Sequence, residues 1–543
     1  MKRGAMVVCG LAAGVSAQSV VDAVRVFKRG DTVPLTSPDD GVYQSTISAS
    51  MNPAGDYLAY LRVCPGAFSV RDEFIYTFVD GEVTRLVREQ ESPVPNSTFI
   101  EKIYNAWIDK NGDALVMVEF ALEQQVTTLI YRDGELLSAL RQGDPVPEFG
   151  GLPFGGSYPD RSTLPFSVSH FVSRFELDGT DGDVNNANKY FVGEVIDGQM
   201  RGLARSNTRA PGIEPVRFAQ QAFTSSSLSP EGVVYLSASL HTSGANASPL
   251  DRDQVIYRYD DGVPTLLLRE GDLYPGDSGI VFEGPAEVIG LSGGAYLVCN
   301  KTAPNATLAL VEGHETTFLI HASVDTSGLV GGRITDLVEV FPTEDGRVIA
   351  LEAYVSGFDR SSIVFNDGVP RRLFSEGEPA PGLDGFTIDE VVVRAPNAHG
   401  DFLVGAKIGR SNYSWWVWDA SMSRLAPVLA TQVDAAPPGV GGFGAPLDEL
   451  FAYPQLSDQS TLVFSDGPFT ETGQRDLYIA QVELPCSSAD VALPLGFIDL
   501  ADVDAFIAAF LAEEPLADVA IPLGLIDLAD IDAFIVAFVA GCS

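Results

Sequence analysis

Six aspartates form a duplicated pattern near the C-terminus. Asp490, Asp499 and Asp502 recur as Asp518, Asp527 and Asp530, each 28 residues later. Carboxylates in this arrangement have two uses. One is to hold a calcium ion, which takes roughly six to eight oxygens. The other is to meet the free N–H groups in the first turn of a helix. Ala492 and Pro494 bring no side-chain oxygen, so carbonyls and water would have to complete a calcium shell. Both uses stay open.

Other strings invite chemistry and are better read as turns or packing. Gly290-Leu291-Ser292-Gly293-Gly294 has the spacing of a nucleophile elbow, but that device needs a helix after the serine, and here another strand pattern follows. Gly439 to Gly444 has dinucleotide-loop spacing, yet it follows Pro437-Pro438 and opens no helix. Asp178 to Asn186 is rich in oxygen ligands and reads as a long polar hairpin, with calcium as the alternative. Trp415, Trp416 and Trp418 share one strand. Their rings suit packing between sheets better than stacking on a sugar. Asp144, Asp272 and Glu378 occupy equivalent loop sites, as turns and solubility require. No catalytic residue is assigned.

The elements that carry these residues are mostly strands. From about residue 18 to 484, short runs of Val, Ile, Leu, Phe and Tyr alternate with turn signals. Asp80-Gly81, Asp133-Gly134, Asp197-Gly198, Asp261-Gly262 and Asp367-Gly368 mark one hairpin per repeat. A second turn, such as Asn52 to Asp56 or Asn397 to Asp401, precedes each by about 20 residues. Two hairpins per repeat make a four-stranded blade, which cannot bury both faces alone. The expected fold is mainly β: an eight-bladed β-propeller, with seven blades as the alternative. Val24 to Pro34 looks like the last strand and loop of a blade, placed to complete the final repeat and close the ring.

Residues 489–510 recur as 517–538 with 18 of 22 positions identical. Val503, Phe506, Ile507 and Phe510 form a helical stripe, matched by Ile531, Phe534, Ile535 and Phe538. Two short helices facing each other are expected over residues 485–543.

Composition bounds the remainder. The chain has 543 residues, 73 acids against 34 bases, and a net charge of −39. Such a surface repels phosphate backbones and excludes nucleic acid as a partner. Lys2 and Arg3, an apolar run from Ala5 to Val15, and Val15-Ser16-Ala17 read as an export signal over residues 1–17. An extracellular or cell-surface location is therefore expected, without a transmembrane helix after cleavage. Cys64, Cys299, Cys486 and Cys542 remain. Cys486 and Cys542 bracket the C-terminal segment and are the best candidate disulfide. For Cys64 and Cys299, a bridge and two buried thiols fit equally.

The repeat spacing resembles β-propellers of secreted planctomycete proteins. The duplicated loop-helix, ending in Gly541-Cys542, resembles a divergent dockerin. That resemblance implies a cohesin-like or surface anchoring partner, with Phe506, Phe510, Phe534 and Phe538 as partner-binding residues. It also implies calcium at the six aspartates. The expected function is a non-catalytic binding protein whose propeller takes a protein or glycan. The alternative is a polysaccharide-degrading hydrolase or lyase carried by the same module.

Overall fold

The protein is described by a computed structural model covering residues 20–27, 42–64, 72–94, 97–121, 126–157, 167–168, 170–178, 188–242, 253–276, 279–284, 286–301, 306–321, 332–381, 386–408, 412–420, 424–429, 450–458, 460–466, 476–482, 489, 498, 500–511, 517 and 528–540. It is a β-propeller. Seven blades are each wound from one uninterrupted stretch, and successive strands pair antiparallel from the inside outwards. The first blade comprises Val42–Met51, Tyr57–Cys64, Asp72–Val79 and Glu82–Arg88. The others span residues 100–140, 145–205, 218–269, 287–320, 334–375 and 388–429. The third carries an extra two-residue strand, Pro145–Val146.

A further four-stranded sheet is shared between the two ends of the repeat region. Leu450–Leu456, Thr461–Asp466 and Asp476–Val482 supply three strands, and the N-terminal Val20–Phe27 pairs outside Asp476–Val482. The register joins Val20 to Val482 and Val24 to Ile479. This closing sheet touches both the first and the seventh blade. The expected closure by the N-terminal strand is therefore present. The expected eight blades give way to the alternative of seven: seven sheets are each continuous in the chain, and the remaining sheet is assembled from its two distant ends as the closure of the ring.

The core lies between sheets rather than within any one of them. Each large apolar cluster joins two neighbours: Leu58, Ile75, Ile103 and Val116 join the first and second blades, and Leu297, Leu308, Ile349 and Ile363 join the fifth and sixth. Val26 and Ile479 of the closing sheet pack on the first blade's cluster around Leu61 and Phe74. Both faces of a middle strand are thus covered, so Ala114–Phe120 (ALVMVEF) is nearly all buried and reads as a continuous apolar run instead of an alternation.

Local chemistry explains the turns. Asp80, Asp133, Asp197, Asp261 and Asp367 have φ between 47° and 52°, and each is followed by a glycine at positive φ. That is the type I′ hairpin, whose twist matches the flanking strands. The inner turns use a side chain as well. Asp56 N–H donates to Asn52 Oδ1 at 2.9 Å, Asp113 to Asp109 Oδ1 at 3.1 Å, and Asp401 to Asn397 Oδ1 at 2.9 Å. Ser229 and Ser457 accept the same bond through hydroxyls, and Thr343 accepts one from Val348 N–H, one residue further on.

Two helices follow, α1 (Leu500–Leu511) and α2 (Leu528–Ala540). Phe506 and Phe534 meet in a parallel stack with centroids 4.0 Å apart. Val503, Phe510, Ile531 and Phe538 flank that contact. The expected stripe is corrected at one position per helix: Ile507 and Ile535 are half exposed. A single neighbouring helix covers only a narrow seam, so the edge of a broader stripe is left in water. Among the described residues, no helix is long and apolar enough to cross a membrane.

Candidate functional site

The connections from the outer strand of one blade to the inner strand of the next share one face with the loops between middle strands. Their carboxylates recur in register. Glu89, Glu270 and Glu376 each follow an outer strand, and their N–H groups donate to Glu73, Gln254 and Arg360 carbonyls at 2.9 Å. Burial raises all three carboxyls. At Glu89 the neighbouring Glu73 and Asp72 add to this, and it is pushed up to about 7. At Glu270 burial is joined by the Asp253 carboxyl, while the Asp253 N–H, which donates to Glu270 Oε2 at 2.9 Å, pulls the other way. At Glu376 Arg360 opposes burial without cancelling it. A carboxyl raised to about 7, as at Glu89, can donate as well as accept hydrogen bonds near neutral pH.

Asp144, Asp272 and Glu378 have a different task. Each accepts the N–H three residues before it: Arg141 to Asp144 at 2.8 Å, Arg269 to Asp272 at 3.2 Å, and Ser375 to Glu378 at 2.8 Å. These acids tie their own loops, as their repetition implied.

The tryptophans are packing residues. Trp415, Trp416 and Trp418 are all buried. Phe374 of the sixth blade lies 5.3 Å edge-on from Trp416, and Trp416 Nε1 donates to Pro381 O at 3.3 Å. Arg371 stands over the Trp418 ring. No face of these rings is open to a sugar.

The elbow-like string is a hairpin. Gly290 ends one strand, Leu291 N–H donates to Ala295 O at 3.0 Å, and Ala295–Asn300 follows as a strand. A Cβ at Gly290 would stand 2.9 Å from Ser229 N and from the Tyr235 ring. Close sheet approach accounts for that glycine without any nucleophile.

Of the six duplicated aspartates, Asp502 and Asp530 are buried in the first turns of α1 and α2, and both are partnered. Asp490, Asp499, Asp518 and Asp527 lie outside the described residues, as do Cys486, Cys542, residues 1–17, the string 439–444 and most of 178–186. Asp178 itself accepts Gln142 Nε2 at 3.0 Å. Cys299 is a free, buried thiol, so the bridge to Cys64 gives way to the alternative of an unbonded cysteine. Phe506 and Phe534 are buried against each other, and Phe510 and Phe538 are half-buried. The large apolar side chains that α1 and α2 expose are instead Leu500, Ile507 and Leu511, then Leu528, Ile535, Val536 and Val539. Sequence periodicity marks all of these as apolar, but it does not say which side of a narrow seam each takes.

No protein-family model and no curated protein matches the sequence. Several solved structures align with it at low identity. A prolyl endopeptidase aligns at TM-score 0.43 and 9% identity over 82% of this chain and 55% of its own. An oligogalacturonate lyase aligns at 0.39 and 11%, over 81% and 98%. The Dos1 propeller aligns at 0.38 and 10%, over 83% and 95%. The chain spans about half the length of the prolyl endopeptidase. None of these likenesses carries an activity to this chain.

Proposed function

We propose that the protein is an exported, non-catalytic binding protein: a propeller that presents a recognition face, attached through its C-terminal helix pair. The observation that carries this reading is the exposed apolar strip of that pair. Leu500, Ile507 and Leu511 recur as Leu528, Ile535 and Val539, all exposed. Large apolar side chains gathered on one small module mark an interaction surface. Residues 485–543 hold ten acids and no Lys, Arg or His. Self-association would therefore be repelled, and the complementary partner is a protein with an apolar groove and a basic rim. A cohesin-like anchor is the partner that the dockerin resemblance suggests. Calcium at the duplicated aspartates and a Cys486–Cys542 bridge belong to the same proposal, as does export by residues 1–17. A core as small as this pair gains from either staple.

A second reading, a polysaccharide-degrading enzyme, is favoured by Glu89. A carboxyl raised to about 7 is what a general acid at neutral pH needs.

The experiment is fractionation of cells producing the full chain. Exported, cell-attached protein is expected. The double variant Ile507→Asp/Ile535→Asp should be released into the medium with an unchanged circular dichroism spectrum. An uncleaved chain retained in the cytoplasm would sink the export reading. A variant that stays on the cell would sink attachment through the helix faces.

A further inference from the structure

We infer that the cleft between the first and second blades binds a neutral carbohydrate, one ring stacked on Phe99 and its hydroxyls held by Gln90 and Glu89. This rests on reading the propeller as the recognition part of the protein. The cleft is open to solvent, offers about 400 Å³ and is lined by Glu89, Gln90, Phe99, Ile100 and Glu101.

Three observations converge there. The first is Phe99. The residue is 50% exposed, and among the described residues only Tyr104 and Tyr354 are other aromatic side chains exposed to a similar degree. An aromatic face at the mouth of a cleft suits the C–H face of a sugar.

The second is Gln90. Its N–H donates to Ile100 O at 2.8 Å, as Gly143 does to Phe154, Asn207 to Phe218, Gly271 to Phe282 and Gly377 to Ile388. These five residues hold one structural position, and all have positive φ, with Gln90 at 65°. Glycine or asparagine takes this conformation at little cost, whereas a glutamine is strained. Here the strained residue puts an amide, both donor and acceptor, on the cleft wall.

The third is the charge around the cleft. Arg88 pairs with Asp72 at 2.7 Å and Arg85 with Glu91 at 3.3 Å, so both of these arginines already face acids. A carboxyl at Glu89 that keeps its proton supplies one more donor without adding charge. Glu101 and Glu91 would repel an anionic sugar. The lining therefore selects against uronates, and the amide, carboxyl and ring together suit vicinal hydroxyls.

The test is calorimetric titration of the full chain at pH 6 with cellotetraose, mannotetraose and xylotetraose. Trigalacturonate and tetralysine serve as controls. Saturable binding of at least one neutral probe is expected, with none of trigalacturonate. Phe99→Ala should weaken it about tenfold or more. Gln90→Gly should weaken it similarly while holding or raising Tm, because it relieves the backbone; a folding defect would lower Tm instead. The inference is overturned if no neutral probe binds, if tetralysine binds in a Phe99-dependent way, or if Phe99→Ala leaves affinity intact. The last result would place binding elsewhere on the propeller and leave the broader reading standing. Release of the Ile507→Asp/Ile535→Asp variant from cells does not depend on any of these outcomes.

Discussion

Arg201 reaches from the third blade to Asp261 in the Asp-Gly turn of the fourth, Nη1 to Oδ1 at 2.8 Å. The same guanidinium binds Glu194, whose other oxygen meets His170 Nε2 at 2.6 Å. The two arms are unequal. Asp261 is 93% exposed, while Glu194 is 2% exposed.

Asp261→Asn should accordingly cost under about 1 kcal/mol, since exposed pairs are weak. Arg201→Met should cost about 2 kcal/mol or more, because Glu194 keeps its burial and loses a partner. Burial pushes Glu194 up, but the hydrogen bonds and charges of His170 and Arg201 outweigh it, and the carboxyl titrates below its ordinary range. Its stabilisation is therefore present above the ordinary glutamate range and lost as pH falls below it. Urea denaturation of both variants checks the ranking, and equal losses would show that the exposed arm matters as much as the buried one.

Glu89 has the opposite sign. Its folded carboxyl is raised to about 7 by burial, then by Glu73 and Asp72. The folded state holds this proton more tightly, so stability is greatest at acid pH and falls as pH rises through about 7. Glu89→Gln should flatten the dependence of Tm on pH between 5 and 8 and raise Tm at the alkaline end. A Tm profile parallel to the parent's would show that Glu89 is not the group responsible.

Cys299 sits in the fifth blade's second strand, fully buried, with its thiol pushed far up by burial and then by Glu287. Thiolate is the reactive form. Iodoacetamide should leave Cys299 unlabelled in the folded chain and label it after denaturation, read by peptide mass. Labelling of the native protein would contradict this packing.

The stacked pair Phe506–Phe534 holds the two helices together. Phe534→Ala should destabilise the helix pair by about 3 kcal/mol and expose residues 500–511 to hydrogen exchange in the full chain. Ile535→Asp, at an exposed position, should leave that protection unchanged. Loss of protection in both variants would mean that Ile535 also belongs to the core.

Deleting the chain through Phe27 should uncover the edge of Asp476–Val482, which now pairs with Val20–Phe27. Exposed edges recruit other strands. Light scattering should show association of the truncated chain, and a monomer of unchanged Tm would show that closure is dispensable.

Much of the fold was legible along the chain because turn chemistry is local. Asp-Gly pairs select their own hairpin whatever surrounds them, and their spacing counted out four-stranded units. The duplicated helices were legible for the same reason. The site was less so. Glu89 and Glu376 each resemble any acid at a strand end, and Gln90 carries no mark of strain until its backbone bond to Ile100 is seen beside those of Gly143, Gly271 and Gly377.

Repeat period, turn type, acidity and the duplicated C-terminal segment were thus determined by the sequence itself. Only the tertiary structure decided that Trp416 faces Phe374 instead of solvent, that Phe506 is spent on Phe534 while Ile507 is left outside, and that Phe99 opens onto a cleft. The physical reason is that burial belongs to pairs of surfaces. In a ring of sheets, half of each apolar contact comes from the neighbouring blade, as far along the chain as Arg201 is from Asp261, and no local pattern records which face that neighbour will cover.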